Sequence, residues 1–419
     1  MPVSGGNVLC CGCGACADAC PANCISMREN EEGFLYPDVD MEKCTHCGLC
    51  ERVCVALTRL NDAPTPKAYG CFSLAEEVRR NSSSGGVFYE LARTVLLRGG
   101  CVFGVSMDKN CLGAGFEKAE TEEELQKLMR SKYVQAAPNH VYRAVKQELE
   151  SGREVLFSGT PCQNNALRLY LGKDYERLCC VDLICHGTPS PKLWRWHVDY
   201  VQCARGGFMT EVNFRCKETG WRNFCIDYHA QSVDDTRKRF YFSQDVDPYF
   251  QMFLKNLSLR PSCYRCASKT ARLSDITIGD FWGIESVLPE MDSEKGVSVV
   301  FVRTEKGREA FDAVCDRVTR MEVAYEVAAR LNPTERGCSH LPKRREAFFR
   351  DMNSMPFAKL AKKYGKKPLY RYVGAKAKRI WKKLVTGGGG GWTPSSYAIM
   401  YEVSCNAKPR NDARREGEI

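Results

Sequence analysis

No stretch of eighteen consecutive apolar residues occurs in the 419 residues, so no segment has the make-up of a membrane-spanning helix. No leader is expected either: Met1 is followed by Pro-Val-Ser-Gly-Gly-Asn, with no basic start and no apolar stretch before Cys10. Zinc-finger spacing is absent, and no aromatics interleave with basic residues in a stacking pattern, which speaks against nucleic-acid binding. Most of the chain also lacks net charge. Residues 341–419 hold 19 Lys+Arg against 6 Asp+Glu, while the remainder holds 42 against 45. The overall +10 therefore belongs to the C-terminal stretch.

What the chain has is cysteine, 25 residues of it. That number would imply a disulfide scaffold only in a short secreted chain. Here the expectation is a reducing cytoplasm and metal-bound thiolates. Cys10, Cys13, Cys16 and Cys20 follow C-x₂-C-x₂-C-x₃-C with Pro21 next, and Cys44, Cys47, Cys50 and Cys54 repeat the spacing with Val55 in place of the proline. This is the bacterial two-cluster ferredoxin pattern, in which three cysteines of each run bind one [4Fe–4S] cube and the fourth crosses to the other. The two-residue steps wrap three thiolates round one corner of a cube, and the longer step throws the fourth sulfur out along a helix start. On this reading cluster one takes Cys10, Cys13, Cys16 and Cys54, and cluster two takes Cys44, Cys47, Cys50 and Cys20. Zinc has no use for a crossed repeat of eight cysteines. Cys11 and Cys24 fall outside the spacing and read as bystanders. A front domain of about 60 residues is too small for a hydrophobic core alone, so the cubes also staple it.

The fold expected is α+β: a two-cluster ferredoxin domain over 1–61, a mixed α/β body, and a basic helical tail. Asp62-Ala63-Pro64-Thr65-Pro66 reads as a linker. The body divides into 67–152 and 153–340. Its expected helices cover 87–97, a stretch from the capping box Thr121-x-x-Glu124 toward Met129, and about 139–150. Strands are expected over 101–106, 155–157, 181–185 and 274–279, with Pro161 as the first residue of a further helix. The tail, 341–419, has basic helical stretches near 357–364 and 369–384, then a five-glycine run and a polar end expected to be disordered. Phe357, Leu360 and Tyr364, then Leu369, Tyr372, Val373, Ile380, Trp381 and Leu384, interleave with its lysines. Such a stretch fits an anionic membrane surface at the inner face of the membrane, or an acidic protein partner, or a plain solvated face.

Four body cysteines stand in telling contexts. Cys162 follows a strand at a helix start, where free N–H groups favour a thiolate. Cys185 precedes His186-Gly187, and Cys263 and Cys266 form a C-x₂-C pair. Four ligands suffice for a third cube or for zinc. His186 has two readings, a donor to a cluster sulfur or a packed loop residue. Gly220-Trp-Arg-Asn-Phe224 reads either as a contact for a planar substrate or as a turn with a buried tryptophan. Cysteines such as Cys71, Cys101, Cys179, Cys180, Cys203, Cys315 and Cys338 have no ligand spacing and read as small core hydrophobes or surface thiols.

Ser-Ser-Ser-Gly-Gly at 82–86, Ser-Lys-Tyr-Val-Gln at 131–135, Phe-Ser-Gly-Thr-Pro-Cys-Gln at 157–163, Asp-Leu-Ile-Cys-His-Gly at 182–187, Arg-Pro-Ser-Cys-Tyr-Arg-Cys at 260–266 and Ser-Asp-Ile-Thr-Ile-Gly-Asp-Phe-Trp-Gly at 274–283 occur in this order. With the ferredoxin front they resemble the family of coenzyme F420 hydrogenase and dehydrogenase beta subunits, over roughly residues 8–310. The resemblance implies a flavoprotein that exchanges a hydride with an organic carrier and single electrons with clusters. It implies Cys162, Cys185, Cys263 and Cys266 as ligands of a third [4Fe–4S] cluster. It also implies FAD contacts: Ser84, Gly85 and Gly86 at a phosphate-facing helix start, Lys132 on the pyrophosphate, Gln135 on the cofactor, and Gly279 and Asp280 near the rings. A flavin takes two electrons together and releases them singly, so it belongs between a hydride carrier and a cube. The leading function is an FAD and iron–sulfur oxidoreductase, with a protein such as ferredoxin as one-electron partner and a deazaflavin or another reducible metabolite as substrate. The others are a non-catalytic electron-transfer subunit of a larger complex, and structural clusters beside a redox-sensing Cys162.

Overall fold

The computed structural model describes residues 8–366 apart from Val233. In the front domain the cysteine repeat is also a structural repeat. Gly14 (φ 83°) and Gly48 (φ 74°), each between the second and third cysteine of its run, take the left-handed conformation and open the short helices Ala15–Asp18 and Leu49–Arg52. A side chain is strained in that conformation, and at Gly14 a Cβ would also meet Pro138. Between the two loops run the antiparallel strands β1 (Ile25–Glu29) and β2 (Leu35–Val39). The apolar interior here is Cys16, Ala17, Cys20, Cys24 and Ile25, so much of the core is thiol.

The body is one nine-stranded sheet built from β3 (Lys67–Ser73), β4 (Cys101–Met107), β5 (Ala114–Ala119), β6 (Ala136–Ala137), β7 (Val155–Gly159), β8 (Leu178–Leu183) and three later strands. A separate antiparallel sheet holds β9 (Phe208–Cys216), β10 (Cys225–Gln231) and β11 (Arg237–Ser243), after which β12 (Ile276–Asp280), β13 (Ser298–Val302) and β14 (Val318–Val323) return to the large one. Its order is β14-β3-β13-β12-β8-β7-β4-β5-β6. The centre, β12-β8-β7-β4, is parallel. Strands covered on both faces read as unbroken apolar runs, as Val155-Leu156-Phe157 and Leu178-Cys179-Cys180-Val181 do. The helix Val87–Leu97 covers one face with Val87, Leu91 and Val95; Val141–Glu150 and Pro161–Leu171 cover the other with Tyr142, Val145, Ala166 and Leu167. The architecture is thus mixed α/β. The parts of the body expected over 67–152 and 153–340 share this one sheet, because β3 and β4 pair with strands from beyond 152.

Two further expectations need correction. The expected tail does not begin at 341. Helices Arg345–Ser354 and Phe357–Tyr364 pack Phe348, Phe349, Phe357, Leu360 and Tyr364 into the core that also holds Trp194, Tyr228 and Tyr249. Each such side chain contributes about 1.5–3 kcal/mol by leaving water, so this apolar face is not available to a membrane. The stretch 369–384, with Leu369, Tyr372, Val373, Ile380, Trp381 and Leu384, lies outside the described residues. Among the described residues no helix is long and apolar enough to cross a membrane.

Front domain and body are joined by a reciprocal cap. Helix Val141–Glu150 starts at His140, in the left-handed conformation and without a side-chain cap of its own. Asp18 of the front domain accepts instead, from Tyr142 N at 3.0 Å, Arg143 N at 3.4 Å and His140 Nδ1 at 2.7 Å. Arg143 in return donates to the carbonyls of Asp18, Ala17 and Cys20 at the end of Ala15–Asp18. Replacing Asp18 with alanine removes a buried acceptor whose loss as a cap costs about 1–2 kcal/mol. Limited proteolysis of D18A should cut the 56–66 connection several-fold faster than in the parent. Equal cleavage rates would show that the cap does not hold the two parts together.

Candidate metal centres

The crossed repeat meets in space. Burial pushes the Cys16 thiol up to about 12, and Cys10, Cys54 and Cys50 add to it. Cys54 is raised by burial and then by Cys10 and Cys50, so the last cysteine of the second run stands with the first run. Cys20 makes the opposite crossing. It lines a cavity of about 120 Å³ with Cys24, Cys44, Cys47 and Cys50. Cys47 is exposed there, so this cavity faces outward. Cys24, expected to be a bystander, has its sulfur 3.3 Å from that of Cys20, toward which its own N–H also points. Cys11 is no bystander by position either: thiol hydrogen bonds join it to Cys13 of the front and Cys162 of the body.

Three separate body segments bring the other four cysteines together. Cys162 is the second residue of Pro161–Leu171, Cys185 follows the end of β8, Cys263 lies within the turn Pro261–Arg265 and Cys266 follows it. Burial pushes Cys263 up to about 12, followed by Cys185, Cys162 and Cys266; burial pushes Cys266 up to about 12 as well, followed by Cys162 and Cys185. Each of these thiols feels the charge of the others, so the four stand close together, and a metal bound among them would take the place of their protons. The Thr188 N–H points to Cys263 Sγ at 3.3 Å, and the Lys269 ammonium donates to the Cys185 carbonyl. Cys338, exposed and assigned no role from spacing, accepts from Cys266 N at 3.2 Å. One expectation is corrected here, and one open alternative is decided. The helix start does not win at Cys162, whose pKa is held well above the ordinary thiol value by its hydrogen bond to Cys11 and by burial. His186 turns to Asn256 (2.7 Å) and Phe253, the packed-loop alternative.

The donor sets are wholly sulfur. Among the described residues no three His, Cys, Asp or Glu side chains close tightly enough on one point for a single ion. Zinc would need sulfurs at about 2.3 Å from a common centre. Thiols spaced round a cavity fit a polynuclear cluster.

The residues expected to hold FAD are only partly together. The Ser84 hydroxyl donates to Val297 O and the Gly85 N–H to Ser298 Oγ, so both are engaged where the loop before Val87–Leu97 packs on β13. Gly86 (φ 94°) turns the chain into that helix. Gly279 lies against Ile184, where a Cβ would stand 2.7 Å from Cδ1. Asp280 pairs with Arg215 through two bonds of 2.6 and 2.9 Å and accepts from Trp221 Nε1 at 3.0 Å. Trp221 is therefore buried, stacked on Trp282 with centroids 5.2 Å apart. Lys132 is directed elsewhere, to the carbonyls of Lys127 and Met129, and Gln135 lies under the front domain, bonded to Leu35 N.

Loop 81–86 is instead ringed by cations that sequence reading missed. Arg130 donates to Asn81 O, Arg215 to Ser83 O, and Lys217 to the carbonyls of Ser84, Arg79 and Lys295. Arg79 Nη2 and Arg215 Nε are buried without a partner. Burial and then Arg215 push Lys217 down to about 7, the mark of positive charge in excess. Two orphaned donors in a cationic pocket beside paired indoles fit an anionic ligand with a planar part. The available signal was Arg215-Cys-Lys217 closing an otherwise half-buried strand.

An all-thiol dicluster front on a mixed α/β body defines an iron–sulfur protein. Residues 9–56 match the 4Fe-4S dicluster domain, and residues 152–324 match the C terminus of the coenzyme F420 hydrogenase/dehydrogenase beta subunit. The chain thus carries a C-terminal region of the beta-subunit family behind a 4Fe-4S dicluster domain. It is 20% identical over 326 residues to a subunit of the F(420)H(2) dehydrogenase of Methanosarcina mazei, covering 75% of this chain and 84% of the relative. It is 24% identical over 315 residues to the coenzyme F420-dependent sulfite reductase of Methanocaldococcus jannaschii, covering 73% of this chain and 46% of that one. A chain of the F420-reducing [NiFe] hydrogenase complex from Methanosarcina barkeri aligns with a TM-score of 0.44 at 16% identity, over 66% of this chain and 89% of that one.

Proposed function

We propose that the chain is an iron–sulfur oxidoreductase that passes electrons between an external one-electron carrier and a two-electron organic carrier of the deazaflavin kind. The observation that carries it is the meeting of Cys162, Cys185, Cys263 and Cys266 next to Cys11 and Cys13. Two clusters would lie in the front domain, on Cys10, Cys13, Cys16 and Cys54 and on Cys44, Cys47, Cys50 and Cys20. A third would lie on the four body thiols, so that the front hands electrons inward. The exposed Cys47 makes the second cluster the outer one, where a protein such as ferredoxin would dock. FAD would supply the exchange between paired and single electrons. Arg79 and Arg215 would hold its phosphates, with Lys217 adding its charge through the loop carbonyls it holds and the 84–86 loop and Asp280 shaping the site; Asp280 fixes Arg215 and Trp221 in place. A reducing, cytoplasmic setting suits the free thiols.

Anaerobic reconstitution followed by iron, sulfide and flavin counts tests this. About twelve irons and twelve sulfides per chain are expected from three cubes, with about one FAD. Fully loaded protein that takes up no flavin would remove the two-electron step. Retention of FAD should fall as pH rises through about 7. A nearby phosphate favours the Lys217 ammonium, so binding takes up a proton wherever free Lys217 is neutral, and that uptake weakens affinity at higher pH. Lys217→Met should weaken retention about tenfold by removing a positive charge beside the phosphates, and should flatten this pH dependence. Equilibrium ultrafiltration with FAD from pH 6 to 9 measures both.

A second reading has its own support. The Methanosarcina mazei relative is named as part of a dehydrogenase of several chains, so this chain can be the electron-transfer subunit of a larger dehydrogenase or hydrogenase assembly. Turnover of reduced deazaflavin by the purified chain alone separates the two.

A further inference from the structure

Arg260 is wholly buried, and its hydrogen-bond and ring partners are all neutral. Its Nε–H donates to the Cys10 carbonyl at 2.7 Å, and Nη1 approaches Gln135 Oε1 at 3.4 Å. The guanidinium lies 4.0 Å from the ring centre of Tyr36 and 5.5 Å from that of Phe34. Nη2 has no partner. Gln135, 6% exposed, uses its oxygen on Leu35 N and leaves its own amide nitrogen without an acceptor. Both side chains lie beneath Gly12, between Cys10 and Cys13; a Cβ there would stand 2.8 Å from Nη1 of Arg260. Arg260 also acts on the body, where its charge favours the thiolate of Cys162.

An unbalanced buried guanidinium costs several kcal/mol, and an orphaned amide adds to that. A common remedy would serve both: an anion with soft acceptors, seated among the cysteines on either side. A cube with four thiolates is such an anion. Each electron it accepts adds negative charge, and a fixed cation or an N–H···S bond beside it stabilises the reduced form. The outer cavity, lined by Cys20, Cys24, Cys44, Cys47 and Cys50 together with His46 and Glu51, has no arginine or lysine in its wall; Arg143, which donates to the Cys20 carbonyl, stands beside the Asp18 carboxylate, and Lys43 is paired with Asp40. The two front centres therefore differ in the charge built around them.

We propose that Arg260, held by Gln135, is a positioning residue that raises the reduction potential of the cluster on Cys10 above that of the outer cluster, and so draws electrons from the exposed face toward the body. This rests on the cluster reading given above. It concerns the direction of flow within the chain, not the identity of the final acceptor.

The experiment is a redox titration of full-length, anaerobically reconstituted protein, followed by electron paramagnetic resonance, with iron and sulfide counted in the same samples. Arg260→Gln removes the charge and keeps a donor; Gln135→Glu leaves Arg260 in place and sets a carboxylate against it. In both, one cluster signal should become at least tenfold harder to reduce, about 59 mV for one electron, while the outer cluster is unmoved. Arg260→Lys, which keeps the charge, should restore most of the shift. If Arg260→Gln loses the fold, Gln135→Glu decides by itself. Intact iron content with unmoved potentials in Gln135→Glu would overturn the role of Arg260 alone. Parent protein that lacks the iron of the Cys10 centre would sink the cluster assignment, and this role with it.

Discussion

Replacing Arg272 with methionine should leave the protein largely unfolded or insoluble at 37 °C. Arg272 is buried between two buried carboxylates, Asp182 at 3.0 Å and Glu335 at 2.9 Å, and donates to the Glu335 carbonyl as well. Arg303 holds the other oxygen of Glu335 and is fixed by Thr277. Removing one member of a buried ion network leaves a charge without compensation and costs about 3–5 kcal/mol, against a typical total of about 5–15. Arg272→Lys should fall between, because an ammonium cannot reproduce the planar fork. The sign of the pH effect follows from the carboxylates. Burial already holds the Glu335 carboxyl above its ordinary value, and loss of Arg272 raises it further, so the folded state binds more protons in that window. The deficit is then smallest in mild acid and grows as pH rises through the raised values. Thermal unfolding from pH 5.5 to 8 measures it. A loss that is equal at every pH would show that packing, not charge, is what Arg272 provides.

The second large effect is expected at Cys263. Cys263→Ser should remove about a third of the iron and sulfide and leave the front pair, because one of the four body thiols is gone. The front centres do not share these ligands, and the Asp18–Arg143 join does not involve them. The same variant should stop reduction of an organic acceptor by the front clusters while the clusters remain reducible by dithionite. Iron analysis and stopped-flow spectroscopy read the two parts separately. Full iron content in Cys263→Ser would remove the body cluster from the chain.

Local signals were legible where a few neighbouring residues decide geometry. The capping box at Thr121 and Glu124 starts the helix Glu122–Leu128, Pro161 opens Pro161–Leu171, and the helix expected over 87–97 is Val87–Leu97. A strand expected to run to Cys185 stops at Leu183, since the chain must leave the sheet to bring that thiol to Cys263. Flavin-site reading was weaker. The resemblance makes Lys132 a phosphate ligand, but the nearest carbonyls take its ammonium. Arg79, Arg215 and Lys217 lie far apart in sequence, and singly each reads as a surface cation.

The sequence by itself determined the sulfur chemistry of the front domain, because a two-residue step between cysteines constrains where their sulfurs can lie whatever the rest of the chain does. It also determined the apolar central strands and most helix starts, for the same reason of short range. Only the tertiary structure decided which lone cysteines meet, since bringing Cys162, Cys185 and Cys263 together depends on the strand order of a nine-stranded sheet. It decided that Phe357, Leu360 and Tyr364 are core, because an amphipathic stripe does not say what it faces. And it alone set an uncompensated Arg260 between two groups of thiols: burial and partners are properties of the folded chain, and the letter R carries neither.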